Sequence, residues 1–370
     1  MRENEMEDLS LKHRPKKFSN LLQPAIARTL RNAVSGDRVS HCYLFSGPKG
    51  CGKTSTARIL AMALDCPNRS SKGEPCGECE SCISIMTGSC PDVMEINAAQ
   101  QRGIDDMWTL VASTLNHPPM VSPRKIYILD ECHMLTPQAQ NSLLKALEEP
   151  PEYANFVLCT TEPRKVVPTI TDRSQHFQFG FVPTDVIFQR LTEVCEAEGI
   201  VIDEAALKEI ARSANGSMRM GYKLVEKVRS DERVTLDSVR DVLGRTASSA
   251  AIDLLDLIST HKRGSAMRMV DDLNSEGKDL LDLFRECLSA MSDIIRIRLD
   301  GAKSLTSRCD DEVKRMTIID DHLNGAQMEG LYDVFRKAII DLSSTAIPRD
   351  IVAMMAVVSA IRLHEEGEAT

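Results

Sequence analysis

The eight residues GPKGCGKT at positions 47–54 constrain the fold more than any other stretch of the chain. They match the phosphate-binding pattern G-x-x-x-x-G-K-[ST] at every fixed position. The segment before them, HCYLFS, is apolar and strand-like, and the segment after them, KTSTARILAMALDC, has the apolar spacing of a helix. A strand, a glycine-rich turn and a helix N-terminus in this order predict a site whose backbone amides surround phosphate groups.

The residue types within this phosphate loop predict how it would hold ATP. Gly47 and Gly52 let the backbone approach the phosphates, Lys53 reaches the outer phosphates, and the Thr54 hydroxyl ligates magnesium. The predicted nucleotide contacts span the whole loop and one residue beyond it: Gly47, Pro48, Lys49, Gly50, Cys51, Gly52, Lys53, Thr54 and Ser55.

Two later strands are predicted to end in polar side chains beside the loop. The apolar run KIYILDE ends in Asp130 and Glu131, and open α/β sheets bind ligands at the carboxyl ends of their strands. We expect Asp130 to hold magnesium, through water, and Glu131 to polarise an attacking water. The run ANFVLCTT ends in Thr160 and Thr161. Thr161 is the first candidate, and Thr160 the second, for contacting the γ-phosphate or that water.

The order of the segments predicts the architecture. Between residues 41 and 180 strand-like and helix-like segments alternate, which is typical of a parallel sheet with crossover helices. After Pro183 the strand signal fades, and the remaining segments are amphipathic and helical. The sequence therefore predicts an α/β module followed by all-helical regions.

Four cysteines form a separate motif within the stretch DCPNRSSKGEPCGECESC. Cys66, Cys76, Cys79 and Cys82 have the pattern C-x9-C-x2-C-x2-C, in which two successive short steps bring three thiolates into one turn of chain. Cys66, at a helix end, can complete a tetrahedron, and four such ligands suit structural zinc rather than catalytic zinc because no coordination position stays open. An iron–sulfur cluster and free thiols remain as alternatives.

The composition excludes several classes of protein. The 370 residues carry a net charge of -9 and only 4% aromatics, which disfavours a strongly basic, free-standing nucleic-acid-binding protein. No apolar run approaches the roughly 20 residues of a membrane span, and the charged N-terminus lacks the apolar stretch of a secretory signal. We therefore expect a cytoplasmic protein without a membrane partner, in which thiols persist and disulfides are rare.

Together these motifs resemble the gamma/tau ATPase subunits of the bacterial DNA polymerase III clamp loader, which belong to the AAA+ class. The resemblance is carried by HRPKKF, HCYLFSGPKGCGKTSTARILAMALDC, CGECESC, IYILDECHMLTPQAQNSLLKALEEPP, FVLCTTEP and GSMR. It implies an AAA+ P-loop NTPase module over residues 1–180, with a parallel sheet and a zinc-binding insertion at 66–82. A small helical lid over 181–244 and an all-α collar over 245–370 would follow.

The resemblance also implies roles for residues that the motifs alone do not reveal. Arg173 lies where the family carries an arginine finger that reaches the ATP of a neighbouring subunit, and Arg219 lies where a lid arginine senses the γ-phosphate. Arg14 and Pro15 fall in the stretch that borders the adenine. The segment NAAQQRGIDDMW, residues 97–108, corresponds to a region that faces DNA, and Arg102 is its one cation.

The function implied by the resemblance is ATP-driven loading of a sliding clamp onto primer–template DNA, as part of the DNA polymerase holoenzyme. The implied partners are the other clamp-loader subunits, joined through the collar in a hetero-pentamer, together with the clamp and the DNA. We expect no long tau-type extension after the collar. One alternative is an ATP-binding scaffold paralogue with weak or no hydrolysis, suggested by Asp172 beside the finger and by Met220-Gly221 after the lid arginine.

Overall fold

A computed structural model of the chain describes residues 8–98, 111, 113–229, 233–243, 247–301, 310–344 and 347–366. Two compact units can be distinguished. The first contains Met1–Val194 and Ala214–Glu226, and the second contains Cys195–Ser213 and Lys227–Thr370. Most of the segment predicted to face DNA, including Arg102, lies outside the described residues.

The first unit is built on a parallel five-stranded sheet. Its strands are β1 (Cys42–Ser46), β2 (Val93–Asn97), β3 (Lys125–Asp130), β4 (Ala154–Thr160) and β5 (Gln175–Gln178). They are arranged in the order β2-β3-β4-β1-β5. Ser46 pairs with Thr160 and Asn97 pairs with Asp130, so β1 ends level with β4 and β2 ends level with β3. Leu129 pairs with Leu158, so β4 extends one residue beyond β3. The parallel sheet predicted between residues 41 and 180 is therefore confirmed.

The described α-helices include the one predicted after the phosphate loop and those of the helical region predicted after Pro183, together with others that were not predicted. In chain order they are α1 (Leu9–Lys12), α2 (Pro24–Ser35), α3 (Lys53–Asp65), α4 (Glu80–Thr87), α5 (Pro137–Glu148), α6 (Pro168–Asp172), α7 (Thr184–Glu198), α8 (Glu204–Ser213), α9 (Met218–Val228), α10 (Leu236–Leu243), α11 (Ala247–Ser259), α12 (Arg263–Ser275), α13 (Leu280–Asp300), α14 (Asp310–His322), α15 (Gly325–Ser343) and α16 (Arg349–Glu366).

Strands β1, β3 and β4 are buried along almost their whole length. Because successive side chains of a strand point to opposite sides, these strands contact core residues on both faces of the sheet. On one side Tyr43 and Phe45 pack with apolar residues of α2 and α3. On the other side Leu44 packs with Tyr127, Phe156 and apolar residues of α5. Strands covered on both faces must be apolar throughout, which is why these segments are continuous hydrophobic runs.

Local sequence signals fix the ends of the helices that flank the site. Thr136 caps α5 by accepting a hydrogen bond from the Ala139 amide, and Pro137 occupies the first turn. Gly52 precedes α3 in the left-handed conformation and offers no side-chain cap. The first amides of α3 are therefore left to face the phosphate loop.

The second unit is helical apart from a single parallel β-bridge between Ile202 and Val234, as far as the structure describes it. Its largest core joins α11 to α16 and contains the stacked rings of Phe284 and Phe335. None of the helices among the described residues combines the length and apolar character that crossing a bilayer requires. The domain boundaries at residues 180 and 244 stay a prediction.

Candidate nucleotide site and cysteine cluster

The phosphate loop has a backbone that only glycine accommodates at two positions. Gly47 and Gly50 adopt φ angles of 146° and 76°. A Cβ at Gly47 would come within 2.3 Å of the Phe179 carbonyl oxygen, and one at Gly50 within 2.0 Å of the Ser217 hydroxyl oxygen. Gly52 is different, because a Cβ there would have no neighbour within 4 Å. The loop is thus packed against β5 and α9 on one side while Gly52 lies beside open space.

Lys53 is a buried cation held by its own loop. Its side chain is only 6% exposed, and Nζ donates to the carbonyl oxygens of Gly47 and Pro48 at 2.8 and 2.7 Å. A buried ammonium group needs such acceptors to offset its lost hydration. The same ammonium, together with the first amides of α3, provides a positive environment suited to a phosphate chain.

Thr54 and Asp130 meet at the carboxyl end of β3. The Thr54 hydroxyl donates to Asp130 Oδ2 at 2.8 Å, and the Glu131 amide donates to Asp130 Oδ1 at 3.0 Å. A hydroxyl and a carboxylate in contact are oxygen ligands of the type that magnesium prefers. The donor set predicted for magnesium is therefore brought together, although Thr54 and Asp130 lie 76 positions apart.

Glu131 is held in place by neighbours from two elements. Its backbone is in the left-handed region at φ 51°, and its Oε2 accepts a hydrogen bond from the Thr161 hydroxyl at 3.0 Å. His133 Nδ1 lies 3.5 Å from the same oxygen and 3.0 Å from the Thr160 hydroxyl. Thr161 thus contacts the predicted general base, whereas Thr160 contacts a histidine that sequence reasoning missed.

A cavity of about 350 Å³ joins these groups to the N-terminal segment. We call residues 10–23 the N-terminal strap, because residues of this segment form one wall of the cavity. Twelve of the residues predicted from the sequence line it: Arg14, Pro15, Lys49, Gly50, Cys51, Gly52, Lys53, Thr54, Ser55, Asp130, Glu131 and Arg219. Gly47, Pro48 and Thr161 do not line the cavity. Gly47 and Pro48 contact its lining residue Lys53, and Thr161 contacts its lining residue Glu131.

The far wall of the cavity contains residues that the motifs did not indicate. Tyr222 of α9 and Arg190 of α7 both line it, and the ring of His13 stacks on Tyr222 with centroids 6.5 Å apart. Burial alone would lower the pKa of Arg190, but hydrogen bonds to Glu193 and Tyr222 hold it above its ordinary value. The spacing of apolar residues in these helices gives no sign of this role, since it depends on how α7 and α9 pack.

Arg173 lies apart from this chain's cavity. Its guanidinium donates to Glu148 Oε1 at 2.8 Å and to the Thr169 carbonyl oxygen at 3.3 Å, and its side chain is 39% exposed. An exposed position away from the cavity is compatible with action on another subunit. The acidic partner of Arg173 is Glu148 of α5, whereas the sequence pointed to Asp172.

The four clustered cysteines have the geometry of a metal-ligand set. Their Sγ atoms all lie within 4.8 Å of one another, and the Cys66–Cys79 and Cys76–Cys82 pairs are each 3.9 Å apart. Tetrahedral zinc with bonds of about 2.3 Å requires sulfur atoms about 3.8 Å apart. Two of the six sulfur–sulfur separations match that value, and all six are short enough for the four thiols to share one zinc ion.

Backbone amides also point at the cysteine sulfurs. Cys76 Sγ accepts from the amides of Glu78 and Cys79, and Cys79 Sγ accepts from the amide of Cys82. The hydrogen bond from Glu78 is the main cause that lowers the pKa of Cys76 to about 6, while burial raises the pKa of Cys82. Amides that stabilise thiolate are expected around a metal bound by four negative ligands.

The fold and the site define the class of protein. A parallel sheet of this order, with a phosphate loop after β1 and an acidic strand end beside it, is the nucleoside triphosphate-binding fold of the AAA+ class. Three family models match consecutive parts of the chain. They are described as DNA polymerase III, delta subunit (residues 22–182), DNA polymerase III clamp loader subunit, ATPase lid domain (186–226), and DNA polymerase III subunits gamma and tau domain III (234–369).

Whole-chain comparisons agree with these models. DNA polymerase III subunit gamma/tau of Mycobacterium tuberculosis is 32% identical over 91% of this chain and 60% of its own length. DNA polymerase III subunit tau of Bacillus subtilis is 37% identical over 76% of this chain and 50% of its own length. The chain belongs to the gamma/tau family of DNA polymerase III subunits.

The chain spans 50 to 60% of the length of these two relatives. Among solved structures, the RuvB Holliday junction branch migration motor of Thermotoga maritima is 18% identical with a TM-score of 0.46. That likeness covers 66% of this chain and 78% of the RuvB chain.

Proposed function

We propose that this chain is an ATPase subunit of a cytoplasmic bacterial clamp loader, and that it binds ATP in the cavity beside the phosphate loop. The observation that carries the proposal is the contact of Thr54 with Asp130 next to the buried ammonium of Lys53. Membership of the gamma/tau family supports clamp loading as the process that this site drives.

The residues predicted to act in catalysis, to ligate magnesium or to sense the γ-phosphate each have a defined part in hydrolysis. Lys53 and the α3 amides bind the phosphates, and Glu131, held by Thr161, orients and polarises the attacking water. Thr54 and Asp130 would hold magnesium, which when bound neutralises charge on the phosphates. Arg173 of a neighbouring subunit would stabilise the transferred phosphoryl group, and Arg219 would contact the γ-phosphate. This chemistry is ATP hydrolysis rather than nucleotide polymerisation.

The proposed partners follow from the same family. The collar would join the chain to the other clamp-loader subunits in a hetero-pentamer, and the assembly would open the sliding clamp and place it on primer–template DNA. ATP binding would favour the open assembly, and hydrolysis would release clamp and DNA. The four thiols would hold structural zinc outside the nucleotide cavity.

A second candidate is an ATP-binding scaffold subunit with weak hydrolysis. The ion pair between Arg173 and Glu148 favours it, because a paired guanidinium is less available to a neighbour's ATP. The deciding experiment uses reconstituted clamp loader in which every other ATPase subunit has lost its phosphate-loop lysine. Turnover stimulated by clamp and primed DNA supports an active motor. ATP binding without such turnover would identify the scaffold.

A further inference from the structure

The loop that carries the cysteines also contacts the N-terminal strap. Glu74 lies two residues before Cys76, and its side chain is 16% exposed. Its Oε2 accepts a hydrogen bond from the Phe18 amide at 2.8 Å, and its Oε1 accepts one from the Ser19 amide at 3.1 Å. One carboxylate therefore binds two consecutive amides of a segment more than 50 positions away.

These two amides begin a 3₁₀ turn that has no cap of its own. The turn spans Phe18–Asn20, and the preceding Lys17 makes no side-chain capping hydrogen bond. The first amides of a helical turn have no partner within the turn and need an acceptor from elsewhere. Glu74 supplies that acceptor.

The residues around Glu74 hold its carboxylate in position. Gly73, at φ 83°, lies so close to α2 that a Cβ would be 2.5 Å from the Arg31 carbonyl oxygen. The Glu74 amide donates to the Ser70 hydroxyl, and the Ser70 amide donates to the Glu74 carbonyl oxygen. Arg31 Nη1 lies 3.5 Å from Glu74 Oε1. The carboxylate is thus fixed by a tight turn against α2.

The turn that Glu74 caps leads directly into the nucleotide cavity. Phe18 is 1% exposed and anchors the turn in the core, and its carbonyl oxygen accepts from the Leu21 amide. The next residues, Asn20 to Gln23, line the cavity. With the phosphates at the loop before α3, as proposed above, we infer that this wall faces the nucleoside end of the nucleotide.

We propose that Glu74 is a positioning residue for nucleotide binding. Its side chain couples the cysteine loop to the wall of the cavity that faces the nucleoside. This inference rests on the proposed function, since it assumes that the cavity binds ATP. Glu74 does not touch the cavity; it acts by holding the N-terminal strap in the conformation that binds. Without it, a smaller fraction of the protein has the strap in place, and the apparent affinity falls by that fraction.

The test compares two ligands on the full chain by calorimetric titration with magnesium present. ATP contacts both the phosphate loop and the strap, whereas inorganic tripolyphosphate lacks the nucleoside. For Glu74→Ala we expect the Kd of ATP to rise about tenfold and that of tripolyphosphate to stay within about twofold. Glu74→Gln keeps one acceptor oxygen, and we expect a smaller rise with the same selectivity.

Glu80→Ala and Glu80→Gln are the matched controls, because Glu80 is an exposed carboxylate in the first turn of α4 in the same loop. They should leave both Kd values unchanged. Bound zinc is measured in every variant, and Glu74→Gln decides the outcome if Glu74→Ala fails to fold. If the Glu74 variants bind ATP and tripolyphosphate equally more weakly, or bind both as tightly as wild type does, the inference is wrong. The proposed function still holds in either case, provided that the wild-type chain binds ATP. A wild-type chain that binds neither ligand would overturn both.

Discussion

At the scale of single residues, Glu131 has an unusual backbone conformation. Non-glycine residues at positive φ are uncommon, and asparagine and aspartate are favoured over glutamate there. Glu131 nevertheless has φ 51°, directly after the last residue of β3. This turn places its carboxylate against Thr161 and His133 at the edge of the sheet. Backbone strain of this kind persists where the surrounding structure fixes it.

We predict that Glu131→Gln separates binding from hydrolysis. The amide is isosteric with the carboxylate but cannot accept a proton from water, so kcat should fall roughly 100-fold or more. The Kd of ATP should stay within about twofold of the wild-type value, because binding depends on the phosphate loop. Steady-state turnover and equilibrium titration measure the two quantities. Glu152→Gln, at an exposed glutamate after α5, is the control, and an equal loss of turnover in both variants would refute the assignment.

The sequence predicted those site residues that belong to local patterns. Lys53 and Thr54 follow from the spacing of one loop, and Asp130 follows from the end of an apolar strand. His133 and Tyr222 were missed because their roles arise from contacts between distant elements. For His133 the sequence held one local sign: the residue lies three positions after Asp130, in the turn that carries Glu131.

At the scale of elements, Asp92 fixes the loop before β3. It is 1% exposed, and its carboxylate accepts hydrogen bonds from the amides of Met120, Val121 and Ser122 at 2.7 to 2.9 Å. Burial by itself would raise the pKa of Asp92, but these amides outweigh it and hold the pKa below 3.8. A carboxyl whose folded-state pKa is depressed stabilises the fold when it is ionised.

We predict that the hydrogen-exchange protection of this loop depends on pH, because Asp92 must be ionised to hold it. Its contribution is present above pH 3.8, the unfolded value, and is lost as the pH falls through the lower folded-state pKa. Hydrogen exchange should show about tenfold less protection of the three amides in Asp92→Asn at pH 7. The difference should shrink as wild type is acidified. Asp237→Asn, at an exposed aspartate in the first turn of α10, is the control, and a difference constant with pH would contradict the assignment.

The cysteine loop contains a helix that the sequence analysis did not predict. Helix α4 begins directly after Cys79, which caps it through its sulfur, and Cys82 lies in its first turn. The metal-ligand spacing was evident, but the apolar residues of CISIM were too few to indicate a helix by periodicity. The motif thus predicted that the four thiols come together, but it did not predict the helix.

We predict that Cys82→Ala abolishes stoichiometric zinc binding. Wild type should hold about one equivalent of zinc per chain, and loss of one of four ligands should release it and unfold the loop. Elemental analysis after gel filtration measures the metal. Cys195→Ala replaces a buried cysteine outside the cluster and should retain full zinc. Retention of zinc by Cys82→Ala, or iron in place of zinc, would refute the assignment.

At the scale of the whole molecule, the sequence predicted the architecture where strands and helices alternate or where apolar residues recur at helical spacing. Alternation of strand and helix predicted the sheet, and apolar spacing predicted most of the helices from α7 onward. The boundaries at residues 180 and 244 were placed by resemblance and stay predictions. Helical segments carry the same 3.6-residue spacing whichever domain they belong to, so periodicity alone does not divide them.

We propose that this chain's phosphate loop drives clamp loading. The most direct measurement is ATP turnover by the reconstituted clamp loader with sliding clamp and primed DNA, comparing wild type with Lys53→Ala in this chain alone. Lys72→Ala, at an exposed lysine of the cysteine loop, is the control. We expect Lys53→Ala to abolish stimulated turnover by this subunit and to lower clamp loading, while Lys72→Ala behaves as wild type. Unchanged turnover with Lys53→Ala would show that this chain's phosphate loop does not drive clamp loading.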